Sequence, residues 1–330
     1  MNIPDEHVVA IESLGYTADE ARFLYVVATH SGYFVPRQFV DFTGASRGQR
    51  SHRFTEKIEK RGHATWREYL DLGGVYHLFS KTIYRLIDRE NLRNRQRHST
   101  EFIRTRLLLL DFIIANPRHH YLETEQDKVQ FFCEERSIPK KTLPAKAYGG
   151  GSAREPTLRY FVDQFPLFLD SSNGSAAPVV TLSYVDPGQA TLAGFARHLH
   201  HYAPLFQHLP PFRFLYIASS GVHFVRAQQR FFALLKAPLR QTASEDLEHY
   251  FRLRAAWEGK QYGMLSNEDI EYLADERFGG ARVEWLYKLW ASSETGSQPW
   301  RTFLTGAGPQ DVEFATCLVG AHAQQPGRAS

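Results

Sequence analysis

The chain has 330 residues, of which 43% are apolar and 23% charged, and its formal net charge is +3. That length allows two domains with a proper core, and the charge excludes a protein that is polybasic throughout. Cys133 and Cys317 are the only cysteines and have no CxxC partner, which argues against a disulfide scaffold or a structural zinc site.

The N-terminus is mixed and acidic rather than basic then apolar, so no signal peptide is expected. The longest apolar stretch, Leu107 to Ala115, contains Asp111 and is far too short to span a bilayer. A cytoplasmic protein without membrane contact is the expectation.

Residues 1–90 predict a helical head with a hairpin. Thr17 and Glu20 form a capping-box pair, and Ala21, Leu24, Tyr25 and Ala28 follow at helical spacing until Ser31-Gly32. Pro36 suits the first turn of a second helix carrying Phe39 and Val40 and ending near Gly44. A third helix starts near Ser46. Phe54 and Ile58 share one side of it, and Arg50, Arg53, Lys57 and Lys60 another.

The run Ala64 to Tyr69, the turn Leu72-Gly73-Gly74 and the run Val75 to Phe79 predict a β-hairpin. Together these describe a winged helix-turn-helix whose third helix enters the major groove of duplex DNA. The alternative is a helical hairpin with a solvated basic face. The expected DNA contacts here are Arg47, Arg50, Arg53, Lys57, Lys60, Arg61 and, on the hairpin, Arg67. Residues 1–110 hold 17 Lys/Arg against 13 Asp/Glu and the remainder 22 against 23, so the excess positive charge sits with the head.

Residues 91–118 predict a basic helical connector. Residues 81–106 carry eight Lys/Arg against three Asp/Glu. Arg93, Arg95 and Arg97 are either further backbone contacts beside the hairpin or one solvated face, with Arg104 and Arg106 in the same run. Leu107 to Leu110 are expected to pack on a second domain or a partner protomer. Asn116-Pro117 breaks the element, and Thr124 caps a helix running through Phe132. His119-His120 lacks a spaced carboxylate or cysteine and suits a surface turn. Gly149-Gly150-Gly151-Ser152 is followed by Ala153-Arg154, so it does not end as a phosphate-binding loop does.

Residues 119–320 predict an α/β domain with C-terminal helices, which makes the fold class α/β or α+β. Val179–Val185 and Phe212–Ala218 are apolar strands, and helices are expected at 191–206 and 223–236. Asp163 or Asp170 with Asp186 could meet at a sheet edge and hold a divalent cation that activates water. On that reading Asp163 and Asp186 are candidate catalytic residues, and Asp163, Asp170 and Asp186 candidate metal ligands. The set lacks a third carboxylate, because Ser183 or Tyr184 fills its place, and no lysine lies two residues away. His198, His200, His201 and His208 cluster without zinc spacing. Ser219-Ser220-Gly221 lacks a GxSxG pattern. Helices follow at 244–257, after the cap Ser266-Asn267-Glu268-Asp269 to near Gly279-Gly280, and at 283–290, which either join the core or form a dimer surface, and 321–330 is expected to be a disordered tail.

The winged head, Val185-Asp186-Pro187-Gly188 and the helix ending His201-Tyr202 together resemble the replication-relaxation family of mobile-element proteins, over roughly residues 15–240. The resemblance implies a winged-helix head and a second domain similar to restriction-endonuclease folds. That family has an aspartate before one strand and an E-x-D-x-G strand end. Asp163 stands for the first, and Asp186 and Gly188 match the second, but Tyr184 replaces the glutamate. A degenerate domain is implied.

The expected function is double-stranded DNA binding, sequence-specific or structure-selective, without catalysis or cofactor. It fits a transcription regulator or an accessory factor of replication or mobilisation, with a homodimer improving affinity. The alternatives are a Mg-dependent nuclease of restriction-endonuclease-like type and a protein-interaction scaffold.

Overall fold

The chain begins with α1 (Asp5–Glu12). Thr17 then accepts the Glu20 amide while the Glu20 carboxylate accepts the Thr17 amide at 2.9 Å, and this box opens α2 (Ala18–Val26). A π-helical turn, Val27–Ser31, extends α2 to Gly32. Gly32 has φ 79°, and a Cβ there would strike the Asn94 backbone, so glycine is required twice over. β1 (Tyr33–Phe34) leads into α3 (Pro36–Thr43), with Pro36 in its first turn and left-handed Gly44 after it. α4 (Gln49–Lys60) follows. β2 (Ala64–Tyr69) and β3 (Gly73–Leu78) form an antiparallel hairpin, and β1 pairs the other edge of β3, so the order is β1-β3-β2.

These coordinates are a computed structural model that describes residues 1, 3–44, 48–148, 157–170, 178–188, 191–209, 211–236, 244–275, 278, 281–292 and 312–320. The loops at 149–152 and 171–175 and the tail at 321–330 lie outside the described residues.

After α5 (Lys81–Leu86), Ser99 caps α6 (Thr100–Ala115) by accepting the Phe102 amide. β4 (His120–Tyr121) and α7 (Glu125–Gln130) come next, and α7 continues as a π-helical turn, Phe131–Glu135. β5 (Ala145–Tyr148) and β6 (Thr157–Tyr160) pair as a small separate hairpin. Then come β7 (Leu167–Asp170), β8 (Val179–Asp186), α8 (Ala193–Phe206), β9 (Phe212–Ala218) and α9 (Phe224–Lys236). The chain closes with α10 (Ser244–Glu258), α11 (Asn267–Leu273), α12 (Ala281–Ala291) and β10 (Val312–Leu318).

The main sheet runs β10-β9-β8-β7-β4. Steps β4–β7 and β7–β8 are antiparallel, and β8–β9 and β9–β10 parallel. The fold is mixed α/β. β10 lies outside the elements that the sequence predicts: its alternating residues sit in a chain end otherwise rich in Ser, Gly, Thr and Gln, and it is held by the edge of β9.

α6 sits between the two halves. Arg37 makes two 2.9 Å bonds to Asp111, and Gln38 Nε2 donates to the Leu107 carbonyl at 2.8 Å. Leu109, Leu110, Phe112 and Ile113 share one core with Phe23, Leu24 and Val27 of the head and with Phe168, Val185, Leu215 and Ile217 of the sheet. Phe195, Leu199, Tyr202 and Phe206 of α8 fill a second core with Phe214, Tyr216 and Phe231. Trp285 and Leu286 pack with Leu247 and Phe251 in a third, so the C-terminal aromatics serve the interior. Among the described residues no helix is long and apolar enough to cross a membrane.

Candidate nucleic-acid interface and the carboxylates of the sheet

α4 is fixed by its buried side. The Phe54 ring stacks on Phe39 at 4.3 Å and meets Phe23 edge-on at 5.8 Å, with Ile58 and Thr55 buried beside it. Gln49, His52, Arg53, Glu56, Glu59 and Lys60 are therefore exposed. Gln49 and His52 fall outside the basic set that charge alone selects, yet a helical wheel places Gln49 and Arg53 together, opposite Ile58.

The basic flank is not the free stripe that spacing suggested. Arg50 pairs with Asp19, Lys57 with Glu20 at 2.6 Å and Lys60 with Glu56 at 2.6 Å. Arg61 donates to the Leu14 carbonyl and lies 5.6 Å over the Tyr16 ring. The cause is the acidic first turn of α2, which favours Asp19 and Glu20 for its own stability and brings them beside α4. Arg53 makes no ion pair with a described residue. The Arg50 and Lys60 pairs face solvent, where each is worth about 0–1 kcal/mol, so a phosphate can exchange for either carboxylate. Glu20 is buried and caps α2, so the Lys57 pair is structural.

The remaining candidates fall on other surfaces. Arg47 lies outside the described residues. Tyr76 stacks on Phe34 at 5.1 Å, which puts the Tyr76 face of the hairpin toward α4. Arg67 pairs with Val75, one residue along, and so belongs to the opposite face. On that far face the His77 ring bonds the Asn94 carbonyl at 3.0 Å. The segment 93–97 thus lies across the small sheet from α4. Arg95 donates to the Phe79 and Glu90 carbonyls, Arg97 is exposed, and the Arg93 side chain lies outside what is described.

Arg106 is corrected more sharply. It is buried, donates to the Asp163 carbonyl at 3.3 Å and to Gln164 Oε1 at 2.9 Å, and sits 4.6 Å over the Phe102 ring. Burial pulls its guanidinium down to about 10. Lys128 of α7, unremarked in the sequence, is 5% exposed with its amine 5.8 Å from the Phe161 ring centre. Burial lowers it to about 8 against the pull of Asp163.

The three aspartates do not build one site. Asp163 accepts from Tyr202 at 3.1 Å and from the Phe165 amide at 3.2 Å, and faces His198 Nδ1 at 3.1 Å. Asp186 accepts from Tyr216 at 2.6 Å and from the Gly188 amide at 3.0 Å. Asp170 pairs with Arg213 at 3.0 Å. Each carboxylate is held by its own protein donors, a poor fit to a hard divalent cation that needs shared free oxygens. Among the described residues no group of three or more His, Cys, Asp or Glu is placed to hold a metal ion. His198 is buried while His200 and His201 are exposed, so the histidine cluster is dispersed, and His208 accepts from Trp285 at 3.2 Å.

For Asp163, burial opposes ionisation, but the His198 bond and the charges on His198 and Lys128 outweigh it and hold the group down to about 2, against 3.8 unperturbed. A lowered carboxylate stabilises the fold above its unfolded value and loses that contribution as pH falls toward the folded one. The expected contribution is about 2 kcal/mol, lost between about pH 4 and pH 2. Asp163→Asn should therefore flatten the acid limb of stability measured by urea unfolding from pH 2 to 5. An unchanged limb would contradict this network.

No protein-family model matches the chain, and no curated protein or solved structure matches it.

Proposed function

We propose that the first half is a winged helix-turn-helix that binds duplex DNA, in a protein that regulates or assists replication or mobilisation without cutting. One observation carries this reading: the order α2, β1, α3, α4, β2, β3, with β3 between its partners, leaves the outer side of α4 free beside an exposed hairpin. In that arrangement α4 enters the major groove. Gln49 and Arg53 are the groups for base edges, while Arg50 and Lys60 exchange their carboxylates for phosphates. The second half supports a restriction-endonuclease-like core. The run α6, β4, β7, β8, α8, β9 gives two antiparallel steps and then a parallel one, with a helix against each face of the sheet. Its separately satisfied aspartates support a non-cutting role.

The experiment is duplex binding by fluorescence anisotropy across salt concentrations. Arg50→Ala, Arg53→Ala and Lys60→Ala combined should weaken binding at least about tenfold and lower the salt slope by about 2–3, with unchanged circular dichroism. Equal binding by this variant would remove α4 from the interface.

A second reading, contact between the head and another protein, is favoured by the internal pairing of Arg50, Lys57 and Lys60. It predicts no duplex binding by the wild type even at low salt.

A further inference from the structure

The hairpin carries an aromatic group that neither the interior nor the basic flank of α4 uses. Trp66 is 47% exposed. It pairs with Tyr76 across the strands and so lies on the α4 side. A Cβ on Gly74 would collide with the indole nitrogen, so the ring edge rests on bare backbone and its pose is fixed. Glu68 follows two residues later on the same face, opposite Gly74. Glu59 comes to this side from α4, one turn after Thr55, whose hydroxyl meets the Tyr76 phenol. Glu59 and Glu68 are exposed, and neither makes an ion pair with a described residue. Leu70, at the hairpin tip, is fully exposed.

We propose that Trp66, flanked by Glu59 and Glu68, is a docking platform for an arginine or lysine side chain of a partner polypeptide. The π-face attracts a cation, and neither carboxylate is engaged in an ion pair with a described residue. A base could stack on the same ring, but it would bring its own phosphates against the Glu59 and Glu68 carboxylates. Charge complementarity therefore selects a basic peptide over a nucleic acid. Leu70 offers the apolar contact that an extended polypeptide, rather than a lone amine, can use. The platform lies on the hairpin side of α4 and the basic flank on the other, so Trp66→Ala and Arg53→Ala test the two surfaces separately.

The test uses the full chain and a fluorescein-labelled twelve-residue Gly-Ser peptide carrying three arginines, followed by anisotropy at low salt. Saturable binding is expected, and none for the same peptide with three glutamines. Trp66→Ala should weaken binding about threefold or more. The near-isosteric pair Glu59→Gln and Glu68→Gln should do the same with an unchanged melting temperature. Arg53→Ala should leave it intact. Absence of arginine-peptide binding, or equal affinity in Trp66→Ala, overturns the proposal. So does a single-stranded oligonucleotide whose binding, unlike that of the peptide, depends on Trp66.

Discussion

Phe54→Ala is expected to lower stability by about 3–5 kcal/mol, read from urea unfolding. Phe54 is completely buried and touches aromatic rings from three different elements: Phe23 of α2, Phe34 of β1 and Phe39 of α3. Those neighbours cannot close the gap, because Phe34 is itself stacked on Tyr76 and Phe23 is packed against Phe42. The same change should abolish duplex binding, since α4 has no other ring in this core. A loss below about 1 kcal/mol, the range of a surface change, would mean that α4 is not docked through this ring.

Lys128→Met is expected to act in the other direction and raise stability by about 1–3 kcal/mol at pH 7. Burial lowers this amine from 10.5 to about 8. A cation whose folded value lies below its unfolded value binds fewer protons when folded. The fold is therefore penalised below pH 8 and relieved as pH rises toward 10.5, a difference of about 3 kcal/mol. Methionine fills much the same space beside Phe161 without a charge to desolvate. Thermal melts between pH 6 and 10.5 should show stability rising across pH 8–10.5 in the wild type more than in the variant. Parallel curves would show that Lys128 is solvated.

Local chemistry was readable along the chain, and long-range partnership was not. Thr17 with Glu20, Thr124 and Ser266 each announce a helix start, and each caps one. The hairpin turn falls at Leu70–Leu72, slightly before the expected Leu72-Gly73-Gly74, because Gly73 and Gly74 already pair with Tyr69 and Glu68, and the apolar runs at 179–185 and 212–218 give the two central parallel strands. The charge balance of α4 was hidden, because Asp19 and Glu20 lie more than thirty residues earlier and reach Arg50 and Lys57 only once α2 and α4 are packed. The basic appearance of 81–106 misled for the same reason: Arg106 points into the protein, whereas Arg104, two residues earlier on the same helix, is half-buried and pairs with Asp71. Asp170 and Asp186 do end strands, whereas Asp163 lies in the turn between β6 and β7. What sequence spacing could not show is that residues far away in sequence, His198, Tyr202, Tyr216 and Arg213, claim their oxygens one by one.

α6 has a consequence for inheritance. Both halves seal against the same helix, so the head is not a bead on a string that recombination can trade for another. A viable exchange has to carry Thr100–Ala115 along with it and also supply a new lining for the sheet at Phe168, Val185 and Ile217. Homologous chains should therefore keep head and sheet as one heritable block, varying together in the residues that face α6.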